Sequence, residues 1–439
     1  MGVCQLFLWV LRKPKVGKQL FACVVFVLLV VKLVFHAQSS SPLAEFSKWK
    51  DSRLVAFPTL ADRLSNLSRF RQRVKYVPRA YQHEGVTKPD LNSLYMEELA
   101  IVYSWANGTS SKYSKLRLAA CRKLYGTRSA RCSAKWRLER GRDSGEILFS
   151  LRSIAKNMPW FRGHIYIVTA TGEGPEGLDY SNDRLHIVHQ NSIMHPSNIP
   201  SFTNDCQEFY FNRIPGLKDR FIVLDDDMFI GRLAPPSVFL TQFGGPNLFV
   251  EEDLIKNAGI CPCDPQMVWR CSVCHTWQLF KNRFGESSVP FHYMKHAPRV
   301  YSRAVIDYIH SVPEFQKSIV DHGCRTPFRS ESLVQFDFLH HHVLMQTHLH
   351  DFGLATGWND DMHLILLEGK NAKSWEAFTK GWSVPGQAPL FFTINDEGWD
   401  NCEIGDILHR FLKQIFPFPS PFEKPGAVDH LTLSHCKYK

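Results

Sequence analysis

Short apolar runs alternate with amphipathic segments in the middle of the chain, and this alternation constrains the fold more than any other feature. The apolar runs predict strands at 99–103, 164–168, 184–188 and 221–224. The segments 146–157 and 201–213 predict helices between them. Strands separated by helices form mainly parallel sheets that helices cover on both faces. The sequence therefore predicts an α/β fold, in which chemistry takes place at the carboxyl ends of the strands.

The composition is that of a folded globular protein. Of the 439 residues, 44% are apolar and 21% are charged, which excludes disorder, collagen and coiled coil for most of the chain. The net charge of +10 is concentrated between Lys112 and Arg142. Such a stretch is typical of a solvated helical face, and the alternative is a positive rim that attracts a nucleotide diphosphate or an anionic glycan. Because it follows a predicted membrane anchor, we do not expect a nucleic-acid partner.

The first forty residues contain an apolar segment that is long enough to cross a bilayer. Residues 19–36 form this segment, with Lys32 near its end, and a basic cluster lies within residues 12–18 just before it. The positive-inside rule then places residues 1–18 in the cytosol and the remainder in the lumen. A cleaved signal peptide is the alternative, but the apolar stretch is long for one. We expect an uncleaved signal anchor and a single-pass type II topology.

Cysteine usage agrees with a luminal location. The chain has 12 cysteines, which is many for a cytosolic protein, and asparagine-linked glycosylation patterns begin at Asn66 and Asn107. Cys261, Cys263, Cys271 and Cys274 form a compact cluster. In a cytosolic protein this spacing would indicate zinc, whereas an oxidising lumen favours two local disulfides.

Three consecutive carboxylates follow the apolar run at 221–224. Asp225, Asp226 and Asp227 repel one another unless they are solvated, paired or bound to a metal. If the extended backbone continues, Asp225 and Asp227 point to the same side. Carboxylate oxygens suit Mg²⁺ or Mn²⁺, which bind diphosphates. The triplet therefore predicts a metal or catalytic site, and an acidic turn that caps the next helix is the alternative.

Other polar residues follow apolar segments without an evident structural need. Asn395 and Asp396 end a predicted strand, and His296, Arg329 and Glu331 lie between aromatic-rich segments. Each of these residues alone is more often structural than functional. The run His340–His342 lies on a helix rich in Phe and Leu, where such spacing more often indicates packing and solvent contact than metal binding.

Four ordered segments of this chain resemble the Stealth family of sugar-1-phosphate transferases. They cover 101–109, 143–229, 289–336 and 394–425, so that the resemblance extends over most of the chain beyond the predicted anchor. One departure lies in the first segment, where our alignment puts Ala100 at the position of a family Asp. The nearby Glu97 and Glu98 are out of register.

The apolar run, the basic cluster before it and the resemblance together predict a domain organisation. A cytosolic tail at 1–18 and a transmembrane anchor at 19–36 would precede a luminal stalk at 37–92. The catalytic domain at 93–428 would be Rossmann-like, similar to glycosyltransferase A folds, with a Cys-rich insertion at about 258–276. A short tail at 429–439 would follow. The expected location is the Golgi membrane, and a homo-oligomer is left open.

The family chemistry implies a role for each candidate residue. Members move a hexose 1-phosphate from a nucleotide sugar to a hydroxyl of a glycan or glycoprotein acceptor. Mg²⁺ or Mn²⁺ would be held by the acidic triplet, above all by Asp226 and Asp227. The other expected roles are phosphate binding by Arg152, Arg213, Arg329 and Asn395, proton acceptance by His296 or Asp396, and orientation of the sugar or a metal-bound water by Glu208.

Two other functions stay open at this point. A metal-dependent glycosyltransferase would use the same acidic residues but would make a product without phosphorus. An inactive glycan-binding protein could keep the fold, and Ala100 is the feature that favours it. The donor would be UDP-N-acetylglucosamine or GDP-mannose.

Overall fold

The structure is a computed structural model of the chain. It describes residues 74–77, 99–129, 132, 143–241, 243–255, 259, 261–286, 288–356, 361–367, 379–396 and 402–427. The described strands are β1 Val74–Val77, β2 Ala100–Ser104, β3 Ile165–Thr169, β4 Leu185–His189, β5 Arg220–Asp225, β6 Met228–Ile230, β7 Asn247–Leu254, β8 His292–Met294, β9 Arg299–Ser302, β10 Phe352–Ala355, β11 Met362–Leu367 and β12 Phe391–Asp396. The described α-helices are α1 Ser111–Tyr125, α2 Glu146–Asn157, α3 Asn204–Glu208, α4 Pro236–Phe239, α5 Val268–Phe284, α6 Arg303–Ser311, α7 Pro313–Gln316, α8 Phe336–Thr347 and α9 Cys402–Ile415.

A five-stranded sheet with the order β4-β3-β2-β5-β9 forms the centre of the fold. β4, β3, β2 and β5 run parallel to one another, and β9 closes the edge in the antiparallel direction. The register pairs Ser104 at the end of β2 with Asp225 at the end of β5. The predicted α/β class is therefore confirmed, and the parallel strands end together at one edge of the sheet.

Alternate residues of these strands enter two separate cores, one on each face of the sheet. In β2, Ile101 and Tyr103 pack into the first core, whereas Ala100 and Val102 pack into the second. In β5, Ile222 belongs to the first core, and Phe221 and Val223 belong to the second. Burial on both faces explains why the buried parts of β2 and β5 are continuously apolar in the sequence.

Helix α2 covers the first of these faces and has the bounds that the sequence predicts. Gly145 precedes it with φ 78°, a conformation that glycine adopts without strain. Glu146 in the first turn accepts a hydrogen bond from the Ser144 backbone N–H, and Lys156 lies in the last turn. Charges of these signs stabilise the two ends of a helix dipole.

The predicted helix at 201–213 is corrected by the structure to two shorter elements. α3 ends at Glu208, and a separate 3₁₀ turn occupies Phe211–Arg213. Ile214 is extended with ψ 121°, as the ring of the following Pro215 requires. A proline after the segment therefore ends helical structure that periodicity alone would continue.

Two smaller sheets complete the described architecture. One has the order β11-β12-β6 and the other has the order β1-β10-β7-β8. β1 lies inside the range 37–92 that the sequence predicts to be a stalk, and it pairs antiparallel with β10. No helix in the described ranges combines the length and apolar character that a bilayer crossing requires. The predicted anchor at 19–36 lies outside the described residues.

Four disulfides connect the described segments, and they are Cys121–Cys132, Cys206–Cys324, Cys261–Cys274 and Cys263–Cys271. The Cys-rich segment thus forms two local disulfides, which the oxidising-lumen interpretation favours over zinc. Cys206–Cys324 joins α3 to a distant 3₁₀ turn at Gly323–Arg325.

Candidate functional site

Strand β5 brings the acidic triplet to the carboxyl edge of the central sheet. Its residues from Phe221 to Leu224 are buried, and burial becomes partial at Asp225. Asp225 and Asp227 each direct a carboxylate oxygen to the same place as a ring nitrogen of His296. These three potential ligand atoms lie within 4.8 Å of one another. Asp225 and Asp227 thus share a direction as expected, but the backbone does not stay extended: β5 ends at Asp225, and Asp226 and Asp227 form the turn that leads into β6.

Asp226 belongs to a different acidic group. Its charge interacts with Asp227 and also with Glu146 and Asp143, which lie at the start of α2 on the first-core side of the sheet. Burial and these carboxylates raise the pKa of Asp226 well above its usual value. The described geometry therefore groups Asp225 with Asp227, and not Asp226 with Asp227 as expected: Asp226 lies in the turn between β5 and β6, and its carboxylate is not among those that meet the His296 ring.

Strand β12 contacts the backbone of both His296 and Asp227. The Thr393 hydroxyl donates a hydrogen bond to the His296 carbonyl oxygen at 3.1 Å, and the Ile394 N–H donates to the Asp227 carbonyl oxygen at 3.2 Å. The exposed Asn395 follows directly. Asp396 ends the strand, and its side chain lies outside the described part of the chain. The structure thus brings the Asn-Asp pair to the same edge as the acidic triplet.

Arg299 is a buried cation at this site that sequence reasoning missed. Its guanidinium lies 3.2 Å from an Asp225 carboxylate oxygen, 3.3 Å from Glu208 and 3.8 Å from Asp337. Asn204 completes the contacts by donating to Asp225 at 2.9 Å. The signal in the sequence was weak, because a lone arginine three residues after His296 is usually structural.

Glu208 stabilises Arg299 from inside the fold. The residue is 2% exposed, and its carboxylate accepts hydrogen bonds from Arg299 and from the Tyr301 hydroxyl. Burial raises the pKa of Glu208 to about 7, although Arg299 opposes this shift. A carboxylate held in this way does not contact a ligand at the sheet edge, so the described contacts make Glu208 a positioning residue instead of the expected group that orients the sugar.

The surrounding residues shift the pKa values of Asp225, Asp227 and His296 in different directions. Burial disfavours ionised Asp225, but Arg299 and His296 outweigh burial and hold the pKa of its carboxyl below the usual value. Burial and the charge of Asp225 raise the pKa of Asp227 well above its usual value. His296 is exposed at the surface, yet the protein packed around its ring lowers the pKa of the imidazole, with Asp225 opposing that shift.

The predicted phosphate-binding arginines lie in different settings. Arg329 is exposed, and its charge acts on Asp225, Asp205 and His296. Arg152 is buried, and its guanidinium donates to Glu423 at 2.7 Å and to the Phe416 carbonyl oxygen.

Arg213 is exposed on its 3₁₀ turn. Its guanidinium lies 4.9 Å from the centre of the Tyr210 ring. The structure thus brings Arg329 alone of these three arginines into the electrostatic surroundings of the acidic group. The expected phosphate-binding roles of Arg152 and Arg213 stay predictions that their described contacts do not support.

The histidine run is part of the core. His340, His341 and His342 are almost fully buried in α8, so the packing expected from the sequence is confirmed and the expected solvent contact is not. The ring of His340 accepts from the Ser302 N–H, and the ring of His342 accepts from the His292 N–H. Burial lowers the pKa of His340 and of His342 to about 3.

The chemistry of the group suits a divalent cation and a phosphate-bearing ligand. Two carboxylate oxygens are ligands that suit Mg²⁺ and Mn²⁺, with water or substrate oxygens filling the other positions, and the imidazole nitrogen of His296 lies beside them. Arg299 orients the Asp225 carboxylate by a hydrogen bond, as residues that support metal ligands usually do. The exposed Arg329 adds positive charge that an anionic substrate can approach.

Comparison with known proteins identifies one region of the chain. The family model described as Stealth protein CR2, conserved region 2, matches residues 140–248. That region contains α2, the parallel strands β3 to β5 and the acidic triplet.

Three curated relatives illustrate the similarity. An exopolysaccharide phosphotransferase of Streptomyces coelicolor is 27% identical over 337 residues, which cover 75% of this chain and 52% of that protein. The human N-acetylglucosamine-1-phosphotransferase subunits alpha/beta are 36% identical over 121 residues, covering 27% and 10%. A capsular polysaccharide phosphotransferase of Actinobacillus pleuropneumoniae is 29% identical over 168 residues, covering 37% and 42%.

This chain spans about half the length of the Streptomyces protein and less of the other two. The expected resemblance is nevertheless confirmed, because the chain carries the conserved region 2 of the Stealth proteins, with the acidic triplet inside it.

Proposed function

We propose that this chain transfers a sugar 1-phosphate from a nucleotide sugar to a hydroxyl group of a glycan. The acceptor oxygen forms a bond to the phosphorus that carries the sugar, the bond between the two phosphates breaks, and a nucleoside monophosphate leaves. The observation that carries this proposal is the convergence of Asp225, Asp227 and His296 within 4.8 Å, at the strand ends of the region that matches the Stealth proteins. All three relatives named above are phosphotransferases by name.

Each described residue has a part in this reaction. Asp225 and Asp227 would hold Mg²⁺ or Mn²⁺, which when bound neutralises negative charge on the phosphates of the donor. Arg299 keeps Asp225 oriented, and the exposed Arg329 attracts the transferred phosphate. His296 accepts the proton of the acceptor hydroxyl, since its ring nitrogen faces the same point as the carboxylates. Asp396 is the alternative base that the sequence suggests.

The proposed donors are UDP-N-acetylglucosamine and GDP-mannose, and the proposed acceptor is a glycan or glycoprotein. We also propose that the enzyme is anchored in the Golgi membrane as a type II protein and has a glycosyltransferase-A-like catalytic domain. The test is to incubate the purified full chain with Mg²⁺, an oligosaccharide acceptor and a panel of nucleotide sugars. Release of a nucleoside monophosphate that requires both acceptor and cation would support the proposal. Absence of cation-dependent turnover with every donor would refute it.

A metal-dependent glycosyltransferase is the second candidate, because the same acidic group suits it equally well. It would release a nucleoside diphosphate, so the nucleotide product separates the two reactions. The third possibility, an inactive glycan-binding protein, loses the feature that favoured it. Ala100 is buried at the opposite end of β2 from Ser104, about 13 Å from the strand ends, so an acid at position 100 would not reach the acidic group.

A further inference from the structure

A pocket of about 200 Å³ lies at the carboxyl ends of β3 and β4, beside the amino-terminal half of α1. Its walls include the apolar side chains of Leu116, Ile199 and Pro200. The residue that ends β4, His189, contributes a ring that Gly172 approaches so closely that an added Cβ would lie 2.7 Å from it. The pocket is therefore a narrow, mainly apolar space with one aromatic wall.

Two polar side chains lie at the entrance of this pocket. Lys112 and Asn191 line it, and both are exposed. Neither side chain forms a hydrogen bond or an ion pair with another residue in the described part of the chain. An ammonium group and an amide are thus free to contact the polar edge of a ring that enters the apolar space.

The order of the strands places this pocket at a defined distance from the acidic group. β5, which ends in Asp225, is two strands from β3 and three from β4. At a spacing of about 4.8 Å per strand, the pocket lies roughly 10–14 Å from Asp225. The segment after the pocket also connects it to the acidic group. Asn204, four residues after the pocket residue Pro200, donates a hydrogen bond to Asp225 at 2.9 Å.

A buried hydroxyl lies between the two places. Ser104 ends β2, the strand between β3 and β5, and it pairs with Asp225 in the register. By alternation from Ala100 and Val102, its side chain is on the same face as those of Phe221, Val223 and Asp225. Ser104 is 4% exposed, and its hydroxyl has no hydrogen-bond partner among the described residues. Because buried polar groups are nearly always paired, this hydroxyl is suited to a group that a ligand supplies.

We propose that this pocket binds the nucleobase of the donor, and that Lys112 and Asn191 determine which base is accepted. The inference rests on the proposed function, because it assumes that the diphosphate binds at Asp225 and Asp227. A ribose and its 5′ carbon separate a base from its diphosphate by about two strand spacings, which agrees with the position of the pocket. The apolar walls and the His189 ring would enclose the faces of the base, and Ser104 would contact a ribose or phosphate oxygen.

The experiment measures the binding of UDP, GDP and inorganic pyrophosphate to the full chain by calorimetry, each with Mg²⁺. A Leu116→Trp variant fills the pocket, and Leu124→Trp makes the same change at an exposed position of the same helix that does not line it. We expect Leu116→Trp to weaken the preferred nucleoside diphosphate about tenfold or more, with pyrophosphate binding retained. Leu124→Trp should change neither.

Equal effects of Leu116→Trp on the nucleotide and on pyrophosphate, or no effect on either, would overturn the inference. So would a wild-type chain that binds no nucleoside diphosphate more tightly than pyrophosphate. If Leu116→Trp does not fold, a double variant that replaces the two exposed residues Lys112 and Asn191 by Ala tests the inference instead. Loss of the preference between UDP and GDP supports the inference, and an unchanged preference refutes it. Base-dependent binding without any sugar-phosphate transfer would instead refute the proposed function alone.

Discussion

Three carboxylates, from Glu208, Asp225 and Asp337, surround the single guanidinium of Arg299. Removal of a buried cation leaves its partners charged and unpaired, which typically costs about 3–5 kcal/mol. We therefore expect Arg299→Met to lower the free energy of unfolding by about this amount in urea denaturation. Arg220→Met, which removes a more exposed ion pair with Asp219 at 3.9 Å, should cost about 1 kcal/mol or less. Equal effects of the two substitutions would contradict the role of Arg299.

Asp227 tests the acidic group most directly at the level of a single residue. Asp227→Asn keeps the size of the side chain but removes the charge that a cation requires, so transfer should fall by about 10²-fold or more. Asp183→Asn, at an exposed position outside the group, is the matched control and should retain full turnover. Initial rates of nucleoside monophosphate release measure both. Near-normal turnover of Asp227→Asn would show that this carboxylate has no part in the reaction.

Part of the site was predictable at the residue scale. Consecutive carboxylates after a buried strand have few structural explanations, so Asp225 and Asp227 could be found from the sequence. Arg299 could not, because its function depends on partners that are distant in the chain, such as Glu208 and Asp337. Glu208 was predicted to lie at the site, but its burial behind Arg299 depends on tertiary packing that no local pattern records.

At the scale of elements, the four parallel strands of the central sheet were predicted to within one or two residues, whereas the antiparallel edge strand β9 was not predicted. The run at 164–168 became Ile165–Thr169, and the run at 184–188 became Leu185–His189. β3 is buried along its whole length, which leaves an uninterrupted apolar signal, whereas β4 at the edge is only partly buried and alternates apolar residues with histidines. The predicted helix at 201–213 was wrong beyond Glu208, where Tyr210 adopts φ −105° and ψ 6° and the chain turns before Pro215.

The buried histidines of helix α8 should make the stability of the fold depend on pH. His340 and His342 titrate at a pKa of about 3 in the folded chain, whereas an unfolded imidazole titrates near 6.5. Between about pH 6.5 and 3 the unfolded chain binds more protons, so the free energy of unfolding falls as the pH falls and is fully present above this window. Each ring adds a slope of about 1.4 kcal/mol per pH unit.

The measurement is urea unfolding between pH 7.5 and 5 for the wild-type chain and for His342→Asn. The variant should lose stability less steeply as the pH falls, because it lacks one of the three buried rings of α8. Glu208, with a pKa raised to about 7, acts in the opposite direction in both proteins, so the difference between their slopes isolates the histidine. Identical slopes would show that the buried ring does not control acid stability.

The disulfide Cys206–Cys324 should stabilise the fold by joining two distant elements. It closes a loop of 118 residues and joins α3, which carries Glu208, to the turn at Gly323–Arg325. Replacing both cysteines by Ala should lower the free energy of unfolding by about 2–5 kcal/mol. The same replacement at Cys121 and Cys132, which are only 11 residues apart, should cost less. A larger loss at the short loop would contradict this account.

At the scale of the whole molecule, the parallel sheet explains why distant segments meet at one place. Asp225 ends β5, Ser104 ends β2, and the proposed base pocket lies where β3 and β4 end. β12 brings residues from near the end of the chain to the same edge. The sequence predicts this edge because parallel strands share a direction. It does not predict the two smaller sheets, because their strands pair across large separations in the chain.

The identity of the released nucleotide decides whether this chain transfers a sugar phosphate or a sugar. The full chain is incubated with Mg²⁺, a glycan acceptor and the nucleotide sugar that it turns over, and the released nucleotide is identified by chromatography while the glycan product is examined by phosphorus NMR. For sugar-phosphate transfer we expect a nucleoside monophosphate and a phosphodiester signal in the glycan, both abolished by Asp227→Asn. A nucleoside diphosphate together with a phosphorus-free glycoside would contradict it.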